Sequence, residues 1–146
     1  MIIRRMTLQD VPHAAPLMAD LGYPTDASAL ADRLAAVYAN ADDAVFVAEL
    51  DDKLVGLIGC HSFEMLHRPG RLGRITALVV ADMARGRGIG RQLVGAAEAH
   101  LLAQGCIRLE VTSAEHRGGA HRFYVSLGYA EQRVRFVKIP VAASPA

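Results

Sequence analysis

The sequence predicts a single α/β domain, one mixed sheet with helices on both faces, in the order β-α-α-β-β-β-α-β-α-β. Three observations carry that expectation. The hydrophobic period is helical over residues 8–39 and strand-like over residues 44–61. Residues 74–81 (RITALVVA) are apolar at nearly every position, as a strand buried on both faces requires. A helical stretch (89–104) and an alternating run (106–112) follow, which makes a right-handed parallel crossover. The 146 residues suit one domain, residues 1–140, with a short tail at 141–146.

Each element has its own local signal. Residues 2–7 read as a short strand. Thr7 then caps a helix, with Asp10 as the acidic partner of a capping box and Pro12 in the first turn. Leu8, Val11, Ala15, Met18 and Leu21 keep helical spacing until Gly22 ends it. Thr25 or Asp26 caps a second helix to about residue 39, with Leu30, Leu34 and Val37 on one stripe. Residues 44–50 and 54–61 are β-branched apolar runs around Asp51, Asp52 and Lys53, a hairpin with a short turn. Residues 63–73 read as a loop, 74–81 as a strand and 82–86 as a connection. The helix at 89–104 ends at Gly105, a short helix at 119–127 ends at Gly128, and residues 129–139 read as a last strand.

Composition removes whole classes of function. Charged residues are 21% and apolar residues 52%, which excludes a solvated coil. No run approaches the ~20 apolar residues of a membrane span, and the N-terminus lacks the apolar stretch of a secretory signal. A formal net charge of +1 argues against a dedicated nucleic-acid binder. Cys60 and Cys106 lie in apolar stretches and read as buried free thiols in a reducing cytoplasm. No Cys/His spacing fits a metal site. The charge is nevertheless uneven: Arg68, Arg71, Arg74, Arg85, Arg87 and Arg91 face only Asp82 over that stretch.

The informative stretch is residues 79–95, VVADMARGRGIGRQLVG. It runs from strand through a loop with Gly86, Gly88 and Gly90 into a helix. Glycines let main-chain N–H groups approach a ligand, and a helix start offers free donors at a positive dipole end. That combination is an anion site suited to a pyrophosphate, and Arg85, Arg87 and Arg91 add charge to it. A Walker A loop is excluded, since no G-K-[ST] follows; the dinucleotide fingerprint fails because its third glycine position is Arg91.

What remains is R-x-x-G-x-G at Arg85, Gly88 and Gly90. This resembles the pyrophosphate loop of the GNAT superfamily of N-acetyltransferases. A second signature follows at residues 120–129, where Ala120 precedes Tyr124 by four and Gly128-Tyr129 opens the last strand. The element order resembles the superfamily along essentially the whole chain. The resemblance implies a GNAT-like fold with central parallel strands splayed around the cofactor, and acetyl-CoA as cosubstrate. It implies direct acetyl transfer to a primary amine of a small molecule or a protein. It places Leu78, Val79 and Val80 on the pantetheine arm, Arg85, Gly86, Arg87, Gly88, Ile89, Gly90 and Arg91 on the phosphates, and Ala120 in the second motif. Tyr124 falls on the residue taken as general acid, which would protonate the leaving thiolate. An exposed edge of the last strand would serve a homodimer.

Two departures stand out. Many members use a Glu on the strand before the loop as general base, and residues 75–78 (ITAL) hold no acid. His61, Glu64, His116, His121 or a water chain are the substitutes. Arg117 stands where the family often places an Asn, and would reach the cofactor phosphates or the substrate. Arg68, Arg71 and Arg74 hint at an acidic group on the acceptor. A non-catalytic CoA-binding or sensing module is the alternative reading, and the missing Glu is its support.

Overall fold

A computed structural model describes residues 1–112, 118–132 and 135–140 of the chain. These fall into two compact units, Met1–Thr112 and Ser113–Ala146. In the first unit, β1 (Ile2–Arg5), β2 (Asp43–Leu50), β3 (Lys53–Glu64), β4 (Arg71–Val80) and β5 (Cys106–Val111) form one sheet in sequence order. Neighbours are antiparallel except β4 and β5, which are parallel across the crossover helix α3 (Ile89–Ala103).

The helices α1 (Val11–Leu21) and α2 (Ala27–Tyr38) cover one face. There Ala14, Leu17, Leu30 and Leu34 pack with Val47, Leu57 and Val79 in one cluster, each less than a tenth exposed. Strand alternation sends Phe46 to the other face, where its ring meets His100 of α3 at 5.9 Å. Leu93 and Leu101 of α3 are fully buried on that side. Gly56 and Gly73 let α3 come close, since a Cβ at either would stand 2.9 Å from a leucine methyl of that helix. Cys60 and Cys106 are free and buried, as expected, and burial pushes the Cys60 thiol up to about 11.

The local signals operate as the residues suggest. Asp10 accepts from the Thr7 amide at 2.8 Å and Asp26 accepts from the Ala29 amide at 2.7 Å, so both caps form. The first helix is split, however: a 3-10 turn (Leu8–Asp10) precedes α1. Asp10 also receives two guanidinium bonds from Arg4 of β1, at 2.7 and 2.8 Å. Those bonds hold its carboxyl down at about 2 against the opposing effect of burial. The turn between β2 and β3 carries Asp51 (φ 50°) and Asp52 (φ 63°), the left-handed pair a two-residue hairpin needs.

In the second unit, α4 (Gly118–Ser126) ends at Gly128, whose φ of 95° only glycine adopts readily. One expectation fails here. No strand is assigned in residues 129–132 or 135–140, so the tenth element is absent among the described residues. The aromatic and β-branched residues of that run (Tyr129, Val134, Phe136, Val137, Ile139) suit a strand, but composition only makes a segment suitable for a sheet. A strand also needs a neighbour's ladder, which no local pattern supplies. The strand edge expected to serve a homodimer is thus not seen among the described residues. Arg117 and the tail at 141–146 lie outside the described residues.

Candidate active site

The pairing of β4 with β5 ends at Ile75 opposite Val111, while β4 runs on to Val80. Among the described residues, 77–80 therefore pair with β3 alone and leave one edge open, the splay expected between the parallel strands. Register decides which groups face that edge. The Ala81 amide donates to the Val55 carbonyl of β3 at 2.8 Å, so Val79, two residues back, also turns its main chain toward β3. Leu78 and Val80 turn theirs outward. The Val80 carbonyl accepts from Arg85 Nε at 3.4 Å, consistent with that direction. Val79 serves instead through its side chain, which is 5% exposed in the core under α1 and α2.

The loop after β4 is built on two left-handed glycines, Gly86 (φ 81°) and Gly88 (φ 74°). A Cβ at either would meet nothing within 4 Å, so these glycines serve backbone direction rather than close packing. Gly88 caps α3 without a side-chain bond, which leaves the first-turn amides at Ile89, Gly90 and Arg91 available. Ile89 anchors the turn, its side chain 2% exposed in the core. Arg85 is braced by Asp82 at 3.1 Å, and Arg87 and Arg91 are exposed at the same helix start. The loop donors, positive charge and open β4 edge fit a pyrophosphate followed by an extended amide chain.

On the α1 and α2 face lie two hollows. The first, about 330 Å³, is lined by Val37, Asp43, Gly59, His61, Arg74 and Thr76 among others. The second, about 310 Å³, is lined by Phe63, His67, Arg68, Arg108 and Glu110. Phe63 joins them, stacked on His61 with centroids 5.6 Å apart and lying under the Arg74 guanidinium at 5.6 Å. His61 Nδ1 is hydrogen-bonded to the Asp43 carboxylate.

The other candidates sort themselves. Arg71 does not belong to an acceptor site, because its guanidinium bonds Glu64 at 3.1 Å, Asp42 at 2.9 Å and the Ser62 carbonyl at 3.1 Å. That network ties Glu64 to structure as well. His121 is near Glu131, at 3.7 Å, and His116 lies outside the described residues. Tyr124 and Tyr129 meet edge to face at 5.8 Å, and burial pushes the Tyr124 phenol up to about 12. It is therefore protonated at any physiological pH. Ala120 lies one turn before Tyr124 on α4. Sequence reasoning missed Asp43 and Thr76, because both owe their place to bulges in the sheet.

The family described as "Acetyltransferase (GNAT) family" matches residues 13–129. The chain belongs to the GNAT acetyltransferase family. It is an N-acetyltransferase, and acetyl-CoA is its cosubstrate. Over 137 residues it is 31% identical to an aminoalkylphosphonate N-acetyltransferase of Salmonella typhimurium, covering 93% of this chain and 89% of that protein. It is 30% identical over 100 residues to glucosamine 6-phosphate N-acetyltransferase 1 of Oryza sativa subsp. japonica, covering 65% and 58%. An aminoglycoside N-acetyltransferase crystallised with CoA shares the fold at a TM-score of 0.84, with 19% identity over 94% of this GNAT chain and 93% of that one. No described helix is long and apolar enough to cross a membrane.

Proposed function

We propose that this enzyme transfers the acetyl group directly to a primary amine whose carrier bears a phosphonate or phosphate. One observation carries the reading. The two relatives matched by sequence are named for amines that bear a phosphonate or phosphate, and the hollows beside β4 present Arg74, Arg68 and Arg108 on one face. Arginine forks match phosphorus oxyanions in a bidentate way, so these side chains suit the acceptor's anionic end. Glu110, 3.7 Å from Arg74 and 3.8 Å from Arg108, holds both guanidiniums near one another.

Acetyl-CoA supplies an acyl group activated as a thioester. The outward amides of Leu78 and Val80 suit the acyl oxygen, which gains negative charge in the transition state. The first-turn amides of α3, with Arg85, Arg87 and Arg91, suit the pyrophosphate. Tyr124 holds its proton at neutral pH and is the group we assign to the departing sulfur. A phenol near 12 is a poor acid toward a thiolate whose thiol lies near ~8.5. Tyr124 thus acts chiefly by donating a hydrogen bond that strengthens as charge develops.

Initial-rate kinetics with 2-aminoethylphosphonate and with ethylamine test the reading. The phosphonate should be preferred by at least tenfold in kcat/KM, and Arg74→Ala should remove most of that preference. Intersecting double-reciprocal lines are expected for direct transfer; parallel lines would sink it. Equal use of both amines by the wild type would refute the anionic acceptor. The two buried free thiols fit a reducing compartment such as the cytoplasm.

A further inference from the structure

We infer that His61, oriented by Asp43, is the general base that takes a proton from the acceptor's ammonium group. This deepens the proposed reaction and rests on it, since it names the residue that replaces the family's missing Glu.

The need is quantitative. An alkylamine with a pKa near ~10.4 is neutral in only about one molecule in 2,500 at pH 7. Something close to the acceptor must therefore accept a proton. On β4 the residues before the loop are Ile75, Thr76, Ala77 and Leu78, with no titratable side chain among them. One strand over, His61 lies opposite Arg74 in the β3–β4 ladder, on the face that carries the first hollow. It lines that hollow together with Thr76, two residues before the outward amide of Leu78.

The chemistry of the pair is directional. With Nδ1 bonded to the Asp43 carboxylate, Nδ1 carries the hydrogen and Nε2 holds the lone pair. Asp43 is mostly buried at 19% side-chain exposure, so its carboxylate is held against the ring and stabilises the imidazolium that forms. Phe63 stacks on the other side of the imidazole and restricts its rotation. The charged and titratable groups around the ring are few. Asp43 comes from β2 and Arg74 from β4, with Glu110 of β5 beyond Arg74. Cys60 shares the hollow from β3 itself, and α2 contributes only Val37.

The proton balance closes. His61 Nε2 takes one of the three ammonium protons and passes it to solvent. The freed amine bonds to the acyl carbon, and the carbon–sulfur bond breaks. One proton stays in the amide, and the third goes to the departing sulfur, which leaves as the thiol while Tyr124 keeps its own proton and donates a hydrogen bond.

The test measures His61→Gln, His61→Ala and Asp43→Asn on whichever amine the wild type uses best, and on hydrolysis of acetyl-CoA by water. An ordinary alkylamine is compared with a fluorinated amine already neutral at pH 7. Removing a general base should lower kcat by about 10²- to 10⁴-fold with the ordinary amine. KM for acetyl-CoA should be unchanged. With the weakly basic amine the loss should shrink below tenfold, and added imidazole should rescue His61→Ala. A structural role would depress both amines alike and resist rescue, and that result overturns the assignment. Wild-type rates for His61→Gln on amine and water overturn it too, as does a wild type that turns over neither. Failure of the phosphonate preference alone refutes the acceptor reading and leaves the His61 comparison standing. If the His61 variants melt early, Asp43→Asn still decides: it should lower kcat by about tenfold with the ordinary amine and far less with the neutral one.

Discussion

Replacing Gly88 by valine isolates what the glycine loop does. Gly88 has a φ of 74°, and a side chain there would meet nothing within 4 Å. Crowding therefore contributes nothing, and the whole effect is conformational. The left-handed region costs an L-residue about 1–2 kcal/mol, and a β-branched residue is a true outlier there. The backbone should relax to negative φ, which swings the first-turn amides of α3 out of line. Losing one hydrogen bond to a charged phosphate costs about 1.5–3 kcal/mol. That corresponds to roughly 10- to 150-fold weaker acetyl-CoA binding by calorimetry. The melting temperature should fall by only ~2–8 °C, at ~2–4 °C per kcal/mol. Gly95→Ala is the control, in exposed interior helix with equally open space. It should raise stability by about 0.5–1 kcal/mol and leave binding alone. If Gly88→Val lowers the melting temperature while affinity stays within twofold, the loop is only a turn and the cradle argument is wrong.

Three further substitutions have expected outcomes. Asp10→Asn should cost about 1–2 kcal/mol in thermal melts, part of it the Arg4 bonds and part the Thr7 cap. Because the folded carboxyl is depressed to about 2, that stability is present above the unfolded value of 3.8 and disappears as pH falls through 2; the variant's melt-versus-pH curve should be flatter there. Gly56→Ala should destabilise by about 1–3 kcal/mol, since its Cβ would stand 2.9 Å from Leu93 Cδ1 and 3.1 Å from the Val79 carbonyl oxygen. Tyr124→Phe should lower kcat by about 10- to 100-fold with KM for acetyl-CoA unchanged. The raised phenol stabilises the fold below pH 10 and that contribution is lost as pH climbs toward 12, so the Phe variant should lose less stability over that alkaline window.

The sequence by itself determined the order of helices and strands in the first unit, because each is signalled locally; it missed some ends, since residues 63–64 and 71–73, read as loop, belong to β3 and β4, and a 3-10 turn splits the first helix. Capping by Asp10 and Asp26, the Asp51-Asp52 turn and the stops at Gly22 and Gly105 all act within a few residues of themselves. The phosphate loop was legible for the same reason: strand, glycines and helix start are contiguous in the chain. The run at 129–139 shows the limit, since it has the residue types of a strand but no described ladder.

Only tertiary structure decided the acceptor side. Counting back from the hairpin turn, where Leu50 faces Lys53, an uninterrupted ladder would set Asp43 against Cys60. A bulge at Ala48 and Glu49 slips the register by one residue and brings Asp43 to His61 instead. A second irregularity, at Gly59 and Cys60, leaves Thr76 as the extra residue on β4 beside the same hollow. Side chains change faces every residue along a strand, so a slip of one decides which chemistry meets. Bulges arise where a whole sheet must twist and close against its helices, and that condition is not written in any short window of sequence.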